Sequence, residues 1–297
     1  MVNAVIDNSD EHAFFSCLCT PYDTALLQSR HIPKTLIENL YRHTTLGYHQ
    51  AMPDNKTIDN FKDAVADIPN GASIMIGGFG GAGGQPTRLM LALRDLGVND
   101  LTIIGNVAGI SATTHYGWRE GPDDPKPVDQ GMFFASNQAS KIICSFPVPG
   151  TTNPLSEIEN ALRDGKAEVA IVPQGTLIEQ IRADGAGIPA FYTPTGVGTS
   201  VAEGKEIRDF QGRTYLLEQA LPGDYAFIRA QKADTHGNLQ YVGTSRAFGP
   251  AMATAAKITI AEVDEIVEPG GIDAERVGTL GAYVDRIVQR KAGDPYP

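Results

Sequence analysis

Ile76-Gly77-Gly78-Phe79-Gly80-Gly81-Ala82-Gly83-Gly84-Gln85-Pro86 is the stretch on which the fold turns. Ser73-Ile74-Met75-Ile76 runs into it as a short buried strand. Pro86 leads out of it into a helix over 87–96, because proline suits the first helical turn. Glycine turns the backbone tightly and lets a ligand approach main-chain N–H groups. The N-terminus of the following helix adds a partial positive charge, which suits a phosphate or a developing oxyanion. Gly78, Gly80 and Gly83 also satisfy the dinucleotide pattern G-x-G-x-x-G. That reading expects an acid on the ribose at the end of the next strand. The next strand, over 101–104, is followed by Gly105-Asn106, and Asp95 and Asp100 precede it, so NAD binding is disfavoured. A plain turn that binds nothing is the other alternative. Six glycines within residues 77–84 are more than such a turn requires.

The same alternation extends along the chain. Strands are expected over 141–145, 168–172 and 258–263, with helices over 156–164, 177–182 and 251–256. Before the glycine loop, Phe61, Val65 and Ile68 place an amphipathic helix after Thr57, which Pro69-Asn70-Gly71 ends. Repeated β-α units with apolar strands imply an α/β fold: an open, mainly parallel sheet with helices on both faces. Segments 213–218, 225–232 and 239–242 read as antiparallel or lid-like strands joined by Leu221-Pro222-Gly223-Asp224 and Thr235-His236-Gly237-Asn238. Residues 282–288 read as a terminal extended segment. Residues 1–55 lack a sustained period and are expected to be a poorly ordered extension or an arm. Residues 56–290 form the main domain and 291–297 a tail. Met52 stands just before the change of pattern, where a later start would place it.

Composition narrows the function classes. A net charge of −11 disfavours nucleic acid and anionic membrane as partners, which need a basic patch. No run approaches the roughly 20 apolar residues of a membrane helix, and no basic-then-apolar start marks a secretory signal. Cys17, Cys19 and Cys144 are too few for a disulfide framework and fit a reducing cytoplasm. Cys144, in an apolar run, reads as a small core residue. The histidines show no metal-ligand spacing, and His236, in a turn beside glycine, reads as structural, so no metal is expected.

Asn70-Gly71, Ile74-Met75-Ile76, Gly77-Gly78-Phe79 and Pro86 together resemble the α-subunit signature of family I CoA-transferases, with one extra residue between Phe79 and Pro86. Pro173-Gln174-Gly175-Thr176-Leu177, Phe191-Tyr192-Thr193-Pro194-Thr195-Gly196, Ala202-Glu203-Gly204-Lys205-Glu206 and Lys232-Ala233-Asp234 with Gly237-Asn238 continue the resemblance in order, over roughly 56–290. The resemblance implies the open α/β sheet shared with ribose-5-phosphate isomerases, carrying a small antiparallel lid. It implies coenzyme A as a substrate rather than a permanently bound cofactor. It also implies a separate β subunit whose glutamate attacks the acyl-CoA thioester, and no catalytic residue in this chain. The β-half motif Ser-Glu-Asn-Gly is missing, and Glu120-Gly121 and Glu203-Gly204 are its nearest strings; Glu203 reads as a surface or turn residue.

By the same resemblance, Gly77, Gly78, Phe79, Gly80, Gly81, Ala82 and Gly83 would contact CoA or the thioester oxygen. Asn106 and Gln174 would face the substrate, with Val107 standing where the family has a second Asn. Lys141 or Arg182 would pair with a phosphate or a second carboxylate if either lies at the site, though a solvated surface charge is the plainer reading of each. Segments 141–147 and 248–250 look closer to the 3-oxoadipate branch than to the acetoacetate branch. Residues 118–132 read as an insertion near the site. A sugar-phosphate isomerase or deaminase would need an acid/base constellation that the chain does not display. A CoA-binding scaffold on the same fold is the non-enzymatic alternative.

Overall fold

The computed structural model describes residues 55–79, 84–109, 128–147 and 155–292. All of them fall within the unit Pro53–Pro297. The expected extension over 1–55 lies outside the described residues except for its last residue, as do Gly80 to Gly83 and most of the 118–132 insertion.

The first helix is a single turn, α1 (Phe61–Ala64), capped by Asn60, whose side chain accepts from the Asp63 N–H. The sequence pattern predicts a longer helix. Val65 and Ile68 are buried as that pattern requires, but Val65 sits in the turn that follows and Ile68 just beyond it. There follow β1 (Ser73–Ile76), α2 (Thr87–Leu96), β2 (Leu101–Gly105), α3 (Gly131–Ala135), β3 (Ala139–Cys144), α4 (Glu157–Arg163), β4 (Glu168–Ile171) and α5 (Gln174–Gly185). Next come β5 (Ala190–Thr193), β6 (Ile207–Phe210), β7 (Arg213–Gln219), β8 (Gly223–Asp234), β9 (Leu239–Gln240), α6 (Gly249–Ala255), β10 (Ala256–Val267) and β11 (Arg286–Gln289). Two helix ends show why the elements stop where they do. Gly97 closes α2 in the left-handed conformation, at φ 79°. Ser156 and Glu159 form a reciprocal capping box at the start of α4.

The main sheet runs β11-β10-β8-β1-β2-β3-β4, and all of these pairings are parallel; β9 adds antiparallel to the end of β8. Alternate residues feed two cores, as the pleat of a strand dictates. Ile74, Ile76, Ile103, Tyr225, Phe227 and Ile260 join α1 to α4 on one face. Met75, Ile104, Ala226, Ile228, Ala261 and Val263 join α5 and α6 on the other.

Residues 225–232 are therefore not a lid strand. They form the middle of β8, parallel to β1 and to β10. The reason is burial: both faces of β8 are covered, so its apolar alternation does not reveal its neighbours or their direction. The antiparallel layer exists as a separate sheet, β5-β7-β6. It includes β5 and β6, which the sequence pattern does not mark; β6 is exposed along its whole length and carries no buried face to read. The last segment yields β11, whose hydrogen bonds to β10 close the sheet edge.

Asp224 ties the N-terminal ends of three strands together. Its carboxylate accepts from the Ser73 N–H (2.9 Å), the Ser73 hydroxyl (2.8 Å) and Lys257 Nζ (2.8 Å). The Lys257 ammonium first, and the Ser73 N–H second, hold its pKa down to about 2. A depressed carboxylate contributes stability above its unfolded value of 3.8, and loses it as pH falls through about 2. Asp224→Asn is therefore expected to melt at a lower temperature at neutral pH, and to lose less further stability than the parent between pH 4 and pH 2. Melting curves across that window check it; parallel curves would contradict it.

Candidate active site

Because the strands are parallel, their carboxyl ends meet at one edge. The chain leaves β1 outward through β2, β3 and β4, and later builds β8, β10 and β11 on the other side. The boundary between β1 and β8 is thus the switch point where open α/β sheets bind ligands. The glycine loop starts there.

Gly77 donates its N–H to Phe227 O of β8 (2.9 Å), and a Cβ on it would stand 3.3 Å from that same oxygen. Gly78 has φ 89°, and a Cβ on it would lie 2.8 Å from Gln85 N. The loop thus leaves and returns along itself, with Gly78 against Gly84-Gln85. Gly84, at φ 77°, would place a Cβ 2.7 Å from Ser245 O. Phe79 packs its ring edge to face on Phe248, with centroids 5.0 Å apart. The loop base is therefore wedged between β8 and the segment before α6.

Asn106 follows β2 and is 4% exposed. Its backbone oxygen accepts from Ser145 N (3.2 Å) and Phe146 N (3.0 Å), which clips the exit of β2 to that of β3. Its side-chain Oδ1 accepts from Gln174 Nε2 at 2.7 Å. The two amides, 68 positions apart in sequence, are one unit at the carboxyl edge. Asn106 Nδ2 and Gln174 Oε1 keep their capacity to donate to and accept from a ligand. Gln174 is exposed and is the first residue of α5, whose start has no side-chain cap and no acidic residue in its first turn. The positive end of that helix faces the same edge. Val107 is buried and bridges to Phe146, so this position serves packing rather than polar contact.

Two buried polar residues escape the sequence reading. Gln85, just past the loop, donates from Nε2 to Gln130 Oε1 (3.1 Å), and Gln130 is fully buried beside Gly105. Gln130 precedes the apolar run Met132-Phe133-Phe134. A polar pair ahead of such a run is the signal that marks the start of α3 rather than the end of an insertion. Phe133 and Phe134 are core residues.

The two candidate cations are not at this edge. Lys141 lies within β3, opposite Glu168, three residues before the strand ends. Arg182 is in the last turn of α5, paired with Glu179 at 2.8 Å. Glu203 is exposed and ends a short 3-10 turn. Burial pushes the Cys144 thiol up to about 12, which leaves it un-ionised and unreactive at neutral pH.

The helix end behind the glycine loop is also not free for a ligand. The Arg88 and Leu89 N–H groups donate to Glu262 Oε2 (2.8 and 3.1 Å), and the Thr87 N–H donates to Gln85 O (2.9 Å). Glu262 is fully buried on β10, with Arg290 Nε 3.4 Å from its other oxygen. Burial pushes its carboxyl up to about 7. The Leu89 N–H, the Arg290 and Arg229 charges and the Arg88 N–H act in the opposite sense. The expectation that this helix end serves a ligand's phosphate is corrected accordingly.

The fold and this edge define an open α/β protein whose candidate site, at the switch point, holds the base of a glycine loop beside two bonded side-chain amides. The sequence profile of the Coenzyme A transferase family matches residues 58–290, and the chain belongs to that family. It is 44% identical over 233 residues to the A-type subunit of the probable succinyl-CoA:3-ketoacid coenzyme A transferase of Bacillus subtilis, covering 78% of this chain and 89% of that one. It is 43% identical over 234 residues to the A-type subunit of the 3-oxoadipate CoA-transferase of Pseudomonas putida, covering 79% and 93%. Among solved structures, an acyl-CoA transferase of Escherichia coli O157:H7, crystallised as a thioester complex with CoA, superposes with a TM-score of 0.65 at 20% identity. The match covers 82% of this chain and 51% of that one, and supports the fold.

Proposed function

We propose that the chain is the α subunit of a two-subunit CoA-transferase that moves CoA from succinyl-CoA to a 3-oxoacid, with 3-oxoadipate favoured over acetoacetate. The observation that carries this reading is the Asn106–Gln174 pair at 2.7 Å beside the base of the glycine loop. It is a preorganised set of amides with no nucleophile among its members. The nearby thiol is un-ionised, and the carboxylate of Glu262 is engaged inside the fold. The nucleophile in this reading comes from a second chain, which the naming of the relatives as one subunit of their enzymes supports.

In this reading, a carboxylate of the β subunit attacks the thioester carbonyl and CoA leaves as its thiolate. The thiolate then attacks the enzyme's side of the resulting anhydride, forming an enzyme thioester and releasing the donor carboxylate. The acceptor carboxylate reverses the two steps. This chain's part is to receive CoA, with Gly77 to Gly83 as the contact, and to donate hydrogen bonds to each oxyanion from Asn106 Nδ2 and the N–H groups of residues 78–83, the Gly77 N–H being taken by Phe227 O. CoA is thus a substrate and not a resident cofactor. Residues 56–290 form the transferase domain, with 1–55 as an arm or extension and 291–297 as a tail. The compartment we propose is the cytoplasm, which the sparse cysteines favour. No described helix is long and apolar enough to cross a membrane.

The test is reconstitution with the β subunit and an acceptor screen with succinyl-CoA as donor. Turnover is expected only from the two-chain complex, and fastest with 3-oxoadipate. Transfer by this chain alone would overturn the proposal. CoA binding without transfer by the complex would favour a scaffold.

A further inference from the structure

The exit of the glycine loop rests on one buried acid. The loop enters from β1 with Gly77 bonded to Phe227 of β8. It exits into α2, whose first N–H groups are held by Gln85 O and by Glu262 of β10. Phe227 pairs with Ile260, and Arg229 with Glu262, in the β8–β10 register. The two anchors therefore stand on neighbouring strands two residues apart, and β8–β10 forms a platform that sets the span of the loop. Around Glu262, Arg290 lies 3.4 Å away and also 3.5 Å from Asp264, which Arg229 reaches at 3.1 Å. A fully buried carboxylate needs such partners. Glu262 takes the Arg88 and Leu89 N–H groups and Gln85 O takes that of Thr87, and a helix end so occupied has nothing left to offer a phosphate.

We propose that Glu262 is a positioning residue of the transfer reaction: it anchors the start of α2, fixes the reach of the glycine loop towards CoA, and leaves the loop's own N–H groups as the donors the ligand meets. The proposal rests on the reading of the glycine loop as the CoA contact. Glu262→Gln keeps one oxygen able to accept both N–H groups but removes the charge. Glu262→Asp keeps the charge and shortens the reach by one methylene.

Each variant is assembled with the β subunit, and kcat, KM for succinyl-CoA and CoA affinity by calorimetry are measured on the folded complex. Asp224→Asn, at the opposite edge of the sheet, is the control for stability loss alone. Both Glu262 variants are expected to raise KM and weaken CoA binding about tenfold, since small displacements of binding groups have effects of that size or larger; Asp224→Asn is expected to change neither. Unchanged KM and CoA affinity in the Glu262 variants would overturn the proposal. So would failure of both variants to fold, which would leave Glu262 a purely structural cap. If the parent complex binds CoA but transfers nothing, the reading of the reaction fails, and the calorimetry still decides the role of Glu262.

Discussion

Gly109→Ala is expected to destabilise the protein by about 4 kcal/mol, from a strained left-handed conformation and an overpacked contact together. Gly109 has φ 106°. A Cβ there would stand 2.4 Å from Gly131 N and 2.5 Å from Gly131 Cα, and 2.9 Å from Asp129 Oδ1. The first two are backbone atoms and cannot swing aside. The third already accepts from Gly131 N at 2.9 Å and is buried. Relief requires the exit of β2 to separate from the start of α3. Asn106 lies on that exit, so transfer should fail along with stability. A drop in Tm on the order of 10 °C is expected from the size of the domain. Gly165→Ala is the matched control. Gly165 is also left-handed, at φ 67°, but nothing lies within 4 Å of its Cβ position. It should cost only about 1 kcal/mol. Equal melting temperatures for the two variants would contradict the steric account.

The second large effect is on turnover. Asn106→Ala in the two-subunit enzyme is expected to lower kcat/KM about a hundredfold, the scale of losing one oxyanion donor. Gln174→Ala is expected to lower it about tenfold with assembly intact, because Gln174 is exposed and holds Asn106 by one bond. The double variant should match Asn106→Ala alone, since Gln174 acts through its partner and coupled residues are not additive. Kinetics of the three variants, with size-exclusion profiles to verify assembly, check this. Independent, additive losses would show that the 2.7 Å bond is incidental, and unchanged turnover in Gln174→Ala would remove it from the site.

The backbone entering the candidate site and its two amides are legible in the sequence. Gly77, Gly78 and Phe79 stand where strand, loop and helix signals predict them, because those signals are local. A run of apolar residues, a glycine cluster and a proline each act on their own few bonds. Asn106 and Gln174 are visible through the family motifs on which they lie. That they bond to each other is a property of β2 and β4 ending at the same edge. Lys141 shows the opposite case. By itself it reads as a ligand partner or, more plainly, as a solvated surface charge, and only the register sets it opposite Glu168, inside the strand rather than at its end. Gln130 stays hidden because a buried amide and a surface amide are the same letter, and only the packing of the start of α3 against the exit of β2, with the bond from Gln85, separates them.

The order of residues along the chain is enough to set the class of the protein. It carries the β-glycine-α entry, the alternation of apolar strands and helices, and the motifs that place the chain among the coenzyme A transferases. How those pieces face one another depends on contacts between distant segments. Such contacts set residues 225–232 at the centre of the sheet instead of in a lid, because a strand buried on both faces carries no mark of its neighbours or their direction. They also bring Glu262 to Leu89, 173 positions away, and so close a helix end that the glycine loop by its local signals leaves open. A carboxylate in an alternating strand reads as a surface charge. Only the closure of β10 beside β8, with α2 above it, takes that charge out of water and makes it an anchor.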